Sequence, residues 1–411
     1  MRDPSLVRAL RQLGHNAMVI PMYLPVAGDY PDIAGDVPVF FGGVNVYLQQ
    51  VSGFFRKTPR WFDRLLDSRF ILRTAAHRSA MTSAHGMGKM TLSVLHGETG
   101  NQAKEVNRLV EWLSGPEKPD AIHLSTIMLA GVARRLKREL DIPVVASFQD
   151  EHVWLDFLEG NYPARCWEAI EDRAADVDAF VFYGKFYRDF IMNRINISEN
   201  RSYTVNIGID LSGRKHSSLP SNPPVVGYLS RITPSLGLED LVEAFIRLKK
   251  KKGLERTRLE AMGGIVGKDR KFVKRLRRRL AAAGMGDDAV FHEETDMPSR
   301  KKFLASVSVL SVPVQNIESA GFFVLEGWAA GVPAVQPAVG TFPELLKNGG
   351  GGILCKGNDV NALTGALATL LADPEKIREL GRKGREAVEN DFNINRTAQS
   401  MLEIYRRIQP A

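Results

Sequence analysis

The segment 317–333 reads IESAGFFVLEGWAAGVP and decides the fold of this chain more than any other stretch. Two glutamates in it, Glu318 and Glu326, are eight positions apart and enclose Gly321. The apolar run 307–312 before the segment predicts a β-strand, and the residues after Gly321 predict a helix. Turns between a strand and a helix, at the carboxyl end of a parallel strand, are where α/β proteins bind ligands. The segment therefore predicts an α/β fold with a ligand site at this turn.

The residue types of this segment fit one kind of ligand. Gly321 has no side chain to obstruct a close approach of the backbone. The helix that follows presents unpaired N–H groups and the positive end of its dipole, which favours a diphosphate. Glu326 can accept two hydroxyl hydrogen bonds, as a ribose offers, and Glu318 lies where it can accept those of a sugar. Two solvated glutamates on a surface helix are the alternative, but the glycine and the strand–helix context favour a binding site.

Outward from this segment, short apolar β-branched runs alternate with helical patterns along almost the whole chain. Such alternation predicts an α/β fold with parallel sheets. The predicted strands are 17–20, 120–124, 143–148, 179–182, 225–229, 258–262 and 307–312. The predicted helices are 44–82, 104–113, 128–140, 163–175, 238–250 and 271–283, with a closing amphipathic helix that contains Tyr405 and Ile408.

One stretch interrupts this alternation and predicts a domain boundary. Residues 211–224 are rich in serine and proline, which is typical of a linker. With 411 residues the chain is also too long for one ordinary core. We expect two domains, over 1–215 and 216–392, followed by a C-terminal helix over 393–411.

The start of the chain departs from a doubly wound domain. Such a domain normally begins with a strand and a glycine-rich turn before its first helix. Here Asp3, Val7, Leu10 and Leu13 predict a helix at the very beginning, so the first strand of the N-terminal domain is expected to be absent. Either the true start lies upstream of a truncated gene product, or a central strand has been lost. The first explanation is favoured because losing a central strand is costly.

Composition bounds the class of protein and its surroundings. The chain is 44% hydrophobic and 25% charged, which is typical of a globular protein and excludes disordered and fibrous classes. A formal net charge of +8 favours an anionic partner, without choosing between nucleic acid, phosphosugars and lipid headgroups. Cys166 and Cys355 predict neither a disulfide framework nor a cysteine zinc site, and they favour a reducing cytoplasm. No apolar run is long enough to predict a membrane span. Residues Met1–Ser5 lack the apolar core of a signal peptide.

The segment 317–333 resembles the E-x7-E signature of the family 4 retaining glycosyltransferases. Further stretches are similar to that family's donor-domain start, its next strand-end loop, and the last strand and end of its acceptor domain: 226–231 with Gly237 and Leu238, 339–344, 174–180 and 208–210. The likeness covers nearly the whole chain. It implies the GT-B fold, in which two Rossmann-like doubly wound domains face a central cleft and the C-terminal helix packs back on the N-terminal domain. It also implies a nucleotide-sugar donor, retention of the anomeric configuration, and no metal or other cofactor.

The resemblance assigns candidate site residues as well. The donor-binding residues would be Arg231, Gly263, Glu318, Gly321, Phe322 and Glu326, and the catalytic ones Glu318, Arg231 and Gln149. Arg231 would pair with the diphosphate and stabilise the negative charge of the leaving nucleoside diphosphate. The acceptor or cleft residues would be Gly42, Gly43 and His152. A simple turn explains the two glycines equally well, and a loop histidine explains His152.

Two positions depart from the family's pattern. The family's donor loop has a lysine five residues after its arginine, and Leu236 stands there. Gln149 occupies a place where the family often has a histidine; glutamine can bind a sugar hydroxyl but cannot titrate. A retaining front-face mechanism needs no protein base, because the leaving phosphate can take the acceptor proton, so an enzyme is still expected. The main alternative is a non-catalytic nucleotide-sugar or glycan-binding protein, and a sugar-nucleotide epimerase fits the glutamate pair less well.

Three basic runs remain, at 56–73, 249–252 and 268–279. A solvated face over an apolar stripe is the simpler interpretation of each, and contact with a membrane surface is the alternative. No set of nucleic-acid-binding motifs is present, so nucleic acid is not an expected partner. We therefore expect a cytoplasmic hexosyltransferase, at most peripheral at the inner membrane face, that transfers to a glycan, lipid-linked or small-molecule acceptor.

Overall fold

The computed structural model describes residues 2–23, 37–56, 58, 87–116, 118–212 and 220–409. The chain folds into two compact units. The first unit comprises Met1–Val205 with Ala398–Ala411, and the second comprises Asn206–Thr397. The domain boundary predicted at 215 falls in the stretch 213–219, which lies outside the described residues.

The described residues of the first unit form a parallel four-stranded sheet flanked by helices. The strands are β1 (Ile122–Leu124), β2 (Val144–Phe148), β3 (Ala179–Phe182) and β4 (Ser202–Thr204). They lie side by side in chain order, β1-β2-β3-β4, and every pair is parallel. The helices are α1 (Arg2–Gln12), α2 (Gly43–Val51), α3 (Gly88–Leu95), α4 (Ala103–Leu113), α5 (Ala133–Leu140), α6 (Glu151–Leu155), α7 (Tyr162–Ala174) and α8 (Lys185–Met192).

The centre of this sheet follows from its composition. Every residue of β2 and β3 is buried, as a parallel strand covered on both faces requires. The rings of Phe148 and Phe182 stack with centroids 5.0 Å apart, on paired positions of the two strands. The apolar runs predicted as strands at 143–148 and 179–182 are confirmed.

Two predictions near the start of the chain are wrong or only partly met. Residues 17–20 form no strand; an isolated parallel bridge between Met22 and Phe40 lies nearby. The Arg11 side chain, 2.7 Å from the Ala17 carbonyl oxygen, uses an acceptor that a ladder would need. The helix predicted over 44–82 ends at Val51, where the backbone turns extended, and 59–82 lie outside the described residues.

The second unit is a doubly wound Rossmann-like domain. Its strands are β5 (Val225–Leu229), β6 (Arg258–Met262), β7 (Ala289–His292), β8 (Val309–Leu310), β9 (Ala334–Pro337) and β10 (Gly352–Cys355). Their order in the sheet is β10-β9-β8-β5-β6-β7, and all are parallel. The direction of winding therefore reverses between β5 and β8, which is the topological switch point where such folds bind ligands.

Helices surround this second sheet. They are α9 (Leu238–Leu248), α10 (Arg270–Ala282), α11 (Met297–Ser306), α12 (Phe322–Ala329), α13 (Phe342–Gly349), α14 (Val360–Leu371) and α15 (Pro374–Asn390). The last helix, α16 (Ile394–Ile408), begins in the second unit, and from Ala398 onward it belongs to the first. Among the helices described, none combines the length and apolar character that crossing a membrane demands.

A fully buried tryptophan anchors α12 in the core of the second unit. Trp328 donates its indole N–H to the Gly351 carbonyl oxygen at 2.7 Å. A Cβ at Gly349, Gly351 or Gly384 would lie 2.2 to 2.5 Å from the indole ring, so these glycines provide the space for it. The helix that carries Glu326 is thereby held rigidly against the sheet.

Candidate donor site and a buried carboxyl cluster

The candidate donor site lies where β5 and β8 end, on either side of the switch point. The loop after β5 approaches the segment after β8 so closely that only glycine fits at Gly237. Its backbone is left-handed (φ 75°), and a Cβ there would lie 1.8 Å from the Pro313 carbonyl oxygen. Gln315 donates to an Asp240 carboxylate oxygen at 3.0 Å, which joins the same segment to α9. These contacts fix the two loops that flank the site.

The turn before α12 is built by Glu318 and Gly321. One carboxylate oxygen of Glu318 accepts the Gly321 N–H at 3.1 Å, and the Glu318 carbonyl accepts the Thr341 N–H at 3.0 Å. Gly321 has a left-handed backbone (φ 63°), and α12 begins at the next residue, Phe322. The first N–H groups of a helix lack intrahelical acceptors, so this turn presents donors at the edge of the sheet. The geometry fits an anion at the start of α12.

Glu326 lies one turn further along α12 and is fully buried. Its carboxylate forms an ion pair with Arg300 of α11, whose side chain is mostly buried as well. The charge of Glu326 is thus compensated inside the protein. A ribose bound to this carboxylate would have to share it with Arg300, and the ribose role of Glu326 stays a prediction.

The loop after β5 presents Arg231 to solvent. The buried Tyr228 hydroxyl donates to the Arg231 carbonyl at 3.1 Å, and burial raises the pKa of Tyr228, so this donor stays protonated. Gly263 lies against the same loop: a Cβ there would be 1.8 Å from the Ser230 carbonyl oxygen. No described side chain or carbonyl forms a hydrogen bond or ion pair with the Arg231 guanidinium. The loop is held by its backbone, and its cation faces outward.

Leu236 stands where the resemblance described above leads us to expect a lysine. It ends the short 3-10 helix Pro234–Leu236, immediately before Gly237, and is half-buried. Arg231 is therefore the cation that this loop itself carries.

In the first unit, Gln149 and His152 both follow β2 and have different partners. Gln149 donates its side-chain amide to the Ser125 carbonyl oxygen at 2.5 Å. His152 is buried, with Nδ1 3.1 Å from the Tyr187 hydroxyl and its ring against Phe190. The histidine is thus part of a packed cluster within its unit.

Sequence reasoning missed Glu151, which lies between those two residues. Its side chain is 2% exposed, and burial raises its pKa to about 7. Thr126 Oγ1 and the Gln149 backbone N–H donate to its two carboxylate oxygens, each at 2.6 Å. The sequence held no sign of this, since a glutamate beside an aspartate in a polar segment is typical of an exposed turn.

The paired glycines Gly42 and Gly43 lie at the start of α2. The Gly42 carbonyl oxygen accepts the Val46 N–H at 2.9 Å. Just before them, the Phe41 N–H donates to the fully buried carboxylate of Glu105 at 3.2 Å. The glycines thus form a helix-starting turn that a buried acid anchors, and their role toward an acceptor stays a prediction.

Metal ligation is not expected from the sequence. Within the described ranges, no group of three histidine, cysteine or acidic side chains lies close enough together to hold a metal ion.

Comparison with known proteins relates the second unit to a family. Residues 212–387 match the family model of glycosyl transferases group 1. A GDP-mannose-dependent alpha-(1-6)-phosphatidylinositol monomannoside mannosyltransferase of Mycolicibacterium smegmatis is 30% identical over 39% of this chain and 42% of its own length. A D-inositol 3-phosphate glycosyltransferase of Acidothermus cellulolyticus is 31% identical over 48% of this chain and 44% of its own. The chain thus spans less than half of the length of these two relatives.

A third relative is matched over a longer stretch. The alpha-maltose-1-phosphate synthase of Mycolicibacterium smegmatis is 29% identical over 61% of this chain and 68% of its own length. This match reaches beyond the region covered by the family model.

Two solved structures share the fold. HepE of Anabaena, solved in complex with UDP, covers 95% of this chain and 100% of its own with a TM-score of 0.64 at 15% identity. The sucrose-phosphate synthase of Thermosynechococcus elongatus covers 74% and 78% with a TM-score of 0.63 at 20% identity. Together with the two parallel sheets, these likenesses show that the chain has the GT-B fold of two Rossmann-like units.

Proposed function

We propose, because residues 212–387 match the group 1 glycosyl transferases, that this protein is a retaining glycosyltransferase. It would move a hexose from a nucleotide sugar to a glycan, lipid-linked or small-molecule acceptor. The observation that carries this proposal is the turn from Glu318 to Phe322, which lies beside the switch point of a Rossmann sheet. In the same turn, the carboxylate of Glu318 suits the hydroxyls of a sugar, and the start of α12 suits a diphosphate.

The donor would bind to the second unit through charge and backbone. The exposed Arg231 would pair with the phosphate oxygens, and the start of α12 at Phe322 would receive the diphosphate at its positive end. Glu318 would accept hydroxyl hydrogen bonds from the hexose with its carboxylate, which also accepts the Gly321 N–H. Gly263 keeps the Arg231 loop close to the neighbouring strand end.

Transfer would require no titrating base from the protein. The bond between the sugar C1 and the diphosphate oxygen breaks, and the acceptor oxygen bonds to C1 on the same face. The acceptor proton passes to the leaving phosphate, whose developing charge Arg231 stabilises. Gln149 of the first unit would bind a sugar hydroxyl, because an amide can orient a hydroxyl without titrating.

The test is a screen of nucleotide sugars. UDP-, GDP-, ADP- and dTDP-linked hexoses are first compared by thermal shift, since a donor that binds the folded state raises the melting temperature. The donors that bind are then followed for sugar release with glycan, lipid-linked and polyol acceptors, and the anomeric form of the product is read by NMR. Net inversion in the product would exclude the retaining mechanism, and the failure of every donor to bind would exclude the function.

Leu236 favours a second candidate, a non-catalytic nucleotide-sugar or glycan-binding protein. A donor loop without its second cation stabilises the leaving diphosphate less, whereas ground-state binding through Arg231 and the α12 start would persist. Tight donor binding with no release of sugar to any acceptor would select this candidate.

The cofactor, membrane and compartment predictions belong to the same proposal. We expect activity without added metal, so EDTA should leave the rate unchanged. Lys271, Lys274 and Arg278 on α10 are exposed and could touch anionic lipid, which flotation with phosphatidylglycerol vesicles would detect. The free thiols of Cys166 and Cys355 suit a reducing cytoplasm.

A further inference from the structure

The carboxyl group of Glu151 joins the ends of three strands in the first unit. Thr126, which follows β1, donates its hydroxyl to one oxygen at 2.6 Å, and the backbone N–H of Gln149, which follows β2, donates to the other at 2.6 Å. Tyr187 on α8, the helix after β3, donates its hydroxyl to that second oxygen at 3.5 Å. Three donors from three segments thus converge on one buried acid.

The surroundings of Glu151 hold no compensating cation. Neither lysine nor arginine forms an ion pair with it among the described residues. The charged and titratable groups that face it are Asp150 beside it, His152 on its own helix, and Tyr187 on α8. Burial raises the pKa of Glu151 to about 7, although its hydrogen bond from Thr126 acts in the opposite direction.

Gln149 is fixed from both sides by this arrangement. Its backbone N–H is held by Glu151, and its side-chain NH2 by the Ser125 carbonyl oxygen. Because a carbonyl oxygen only accepts, the NH2 group must face Ser125, and no described donor contacts the amide oxygen of Gln149. The next residue, Asp150, has a left-handed backbone (φ 60°), so the turn is strained and depends on such anchors.

We propose that Glu151 is a positioning residue, whose ionised carboxylate fixes the turn at Gln149 and Asp150 so that the Gln149 amide oxygen accepts a hydroxyl of a sugar substrate bound by the first unit. This inference rests on the proposed glycosyltransferase function. Because the Gln149 amide oxygen only accepts, the sugar must present a hydrogen-bond donor, such as a hydroxyl, at this position.

The positioning depends on the charge of Glu151. As a carboxylate it accepts from all three donors, and hydrogen bonds to a charged acceptor are the stronger ones. Once protonated, one of its oxygens must itself donate, and its hold on the Gln149 N–H weakens to that of a neutral carbonyl. Activity should therefore rise as the pH increases through about 7.

The experiment is a pH profile of kcat/KM from 5.5 to 8.5 with the full chain. Glu151→Gln keeps both short hydrogen bonds, because the Thr126 hydroxyl can rotate to accept, but it cannot ionise. We expect kcat/KM at pH 8 to fall about tenfold, and the inflection near pH 7 to disappear. Glu168→Gln, the same change at an exposed position of α7, is the matched control and should leave the profile unchanged. A variant Glu151→Gln with the wild-type profile would overturn the proposal.

Thr126 provides a second variant should Glu151→Gln fold poorly. Thr126→Val removes a donor to the ionised form, so the inflection should move upward by about one pH unit. Thr126→Ser restores the hydroxyl and should restore the profile. An inflection at the same pH in Thr126→Val and in wild type would show that another group titrates there, and it would contradict the proposal.

One readout does not need activity and separates this inference from the proposed function. Hydrogen exchange of the Gln149 amide should be faster in Glu151→Ala than in wild type at pH 8, because its acceptor is gone, and Glu168→Gln should leave it unchanged. Equal exchange rates would overturn the positioning role even in an active enzyme. If no donor is ever turned over, altered exchange would still show that Glu151 holds the turn, while the transferase proposal fails.

Discussion

Both units bury glutamates beside candidate ligand positions, and Glu326 and Glu151 have opposite surroundings. Glu326 of the second unit is fully buried and forms an ion pair with Arg300. Glu151 of the first unit is 2% exposed and receives hydrogen bonds from uncharged donors alone among the described residues. One acid is compensated by a cation, and the other by dipoles.

These two surroundings predict different consequences for stability and for the dependence on pH. Where a buried carboxylate is paired with a cation, removing either partner leaves a costly uncompensated charge. A buried carboxylate without one is only partly compensated by its hydrogen bonds, and burial raises the pKa of Glu151 to about 7, so its charge responds to pH in the neutral range. We therefore expect the hydrogen bond that holds the Gln149 N–H to depend on pH near neutrality.

The largest effect is expected from breaking the ion pair. Glu326→Ala leaves Arg300 without its partner, and we expect the free energy of unfolding to fall by about 3 kcal/mol. If Glu326 also binds ribose, donor affinity falls by a few kcal/mol in the same variant. Urea denaturation and donor titration measure the two effects separately, and unchanged donor affinity would refute the ribose role.

The matched control removes both charges. Arg300→Leu combined with Glu326→Leu should lose less stability than the sum of the single changes, since neither charge is then left alone. If the losses in the free energy of unfolding were strictly additive, Arg300 and Glu326 would not be coupled, and the contrast drawn between Glu326 and Glu151 would fail.

The next effect concerns Glu151 and the dependence of stability on pH. Its pKa is raised from 4.5 to about 7 in the folded chain. The stability it contributes is therefore complete below about pH 4.5 and is lost as the pH rises through 7, with a limit of about 3 kcal/mol. Melting temperatures from pH 5 to 8 should fall more steeply for wild type than for Glu151→Gln. Parallel curves for the two proteins would contradict the prediction, and Glu168→Gln should follow wild type.

Arg231 tests the claim that the donor side works through fixed charge. Arg231→Ala should lower kcat about 100-fold, because a preorganised cation at the leaving diphosphate is lost. Stability should stay within about 0.5 kcal/mol, since the guanidinium is exposed and the loop is held by its backbone. Arg256→Ala, between α9 and β6, is the control for removing an exposed arginine. A similar loss of rate in both variants would indicate that the rate depends on the net charge of the protein and not on Arg231 in particular.

The smallest effect is a gain. Leu236→Lys would add the second cation of the donor loop, and we expect kcat to rise by up to about tenfold. Leu236→Met is the control for altered packing at this half-buried position. No gain with lysine would indicate that the loop does not direct position 236 toward the diphosphate.

The second unit could be predicted well from the sequence because its patterns are local. The strand at 225–229, the helix after Gly237 and the turn at Gly321 each follow from runs of apolar residues and a glycine at a fixed place. The switch point follows from strand order, which no local pattern encodes, and became visible only in the sheet. The family resemblance correctly indicated the fold.

The first unit was harder because its start has weak patterns. The run 17–20 has strand-forming residues, but its carbonyl at Ala17 is bound by Arg11 instead of by a neighbouring strand. Propensity for a strand is easily overridden when no partner strand is present. By contrast, β2 and β3 are predicted correctly because burial on both faces demands long apolar runs.

The burial of acids lay beyond sequence reasoning altogether. Glu151 and Glu105 look like ordinary polar residues in the chain, and their exposure is decided by segments far away in sequence, such as Phe41 for Glu105 and Thr126 for Glu151. Glu326 was predicted to bind a ligand, but its partner Arg300 was not foreseen. Spacing along the chain indicates which residues share a turn, and not which distant side chain compensates a charge.

The division of α16 between the units has a consequence for biosynthesis. Residues 206–397 form an insertion within the first unit, whose closing segment starts at Ala398. Tyr405, whose hydroxyl lies 2.7 Å from Nδ1 of His123 on β1, is therefore added to the chain only after every residue of the second unit has been synthesised. Translation thus imposes an order: the contact between His123 and Tyr405, which lie in the two segments of the first unit, can form only after the sequence of the second unit is complete.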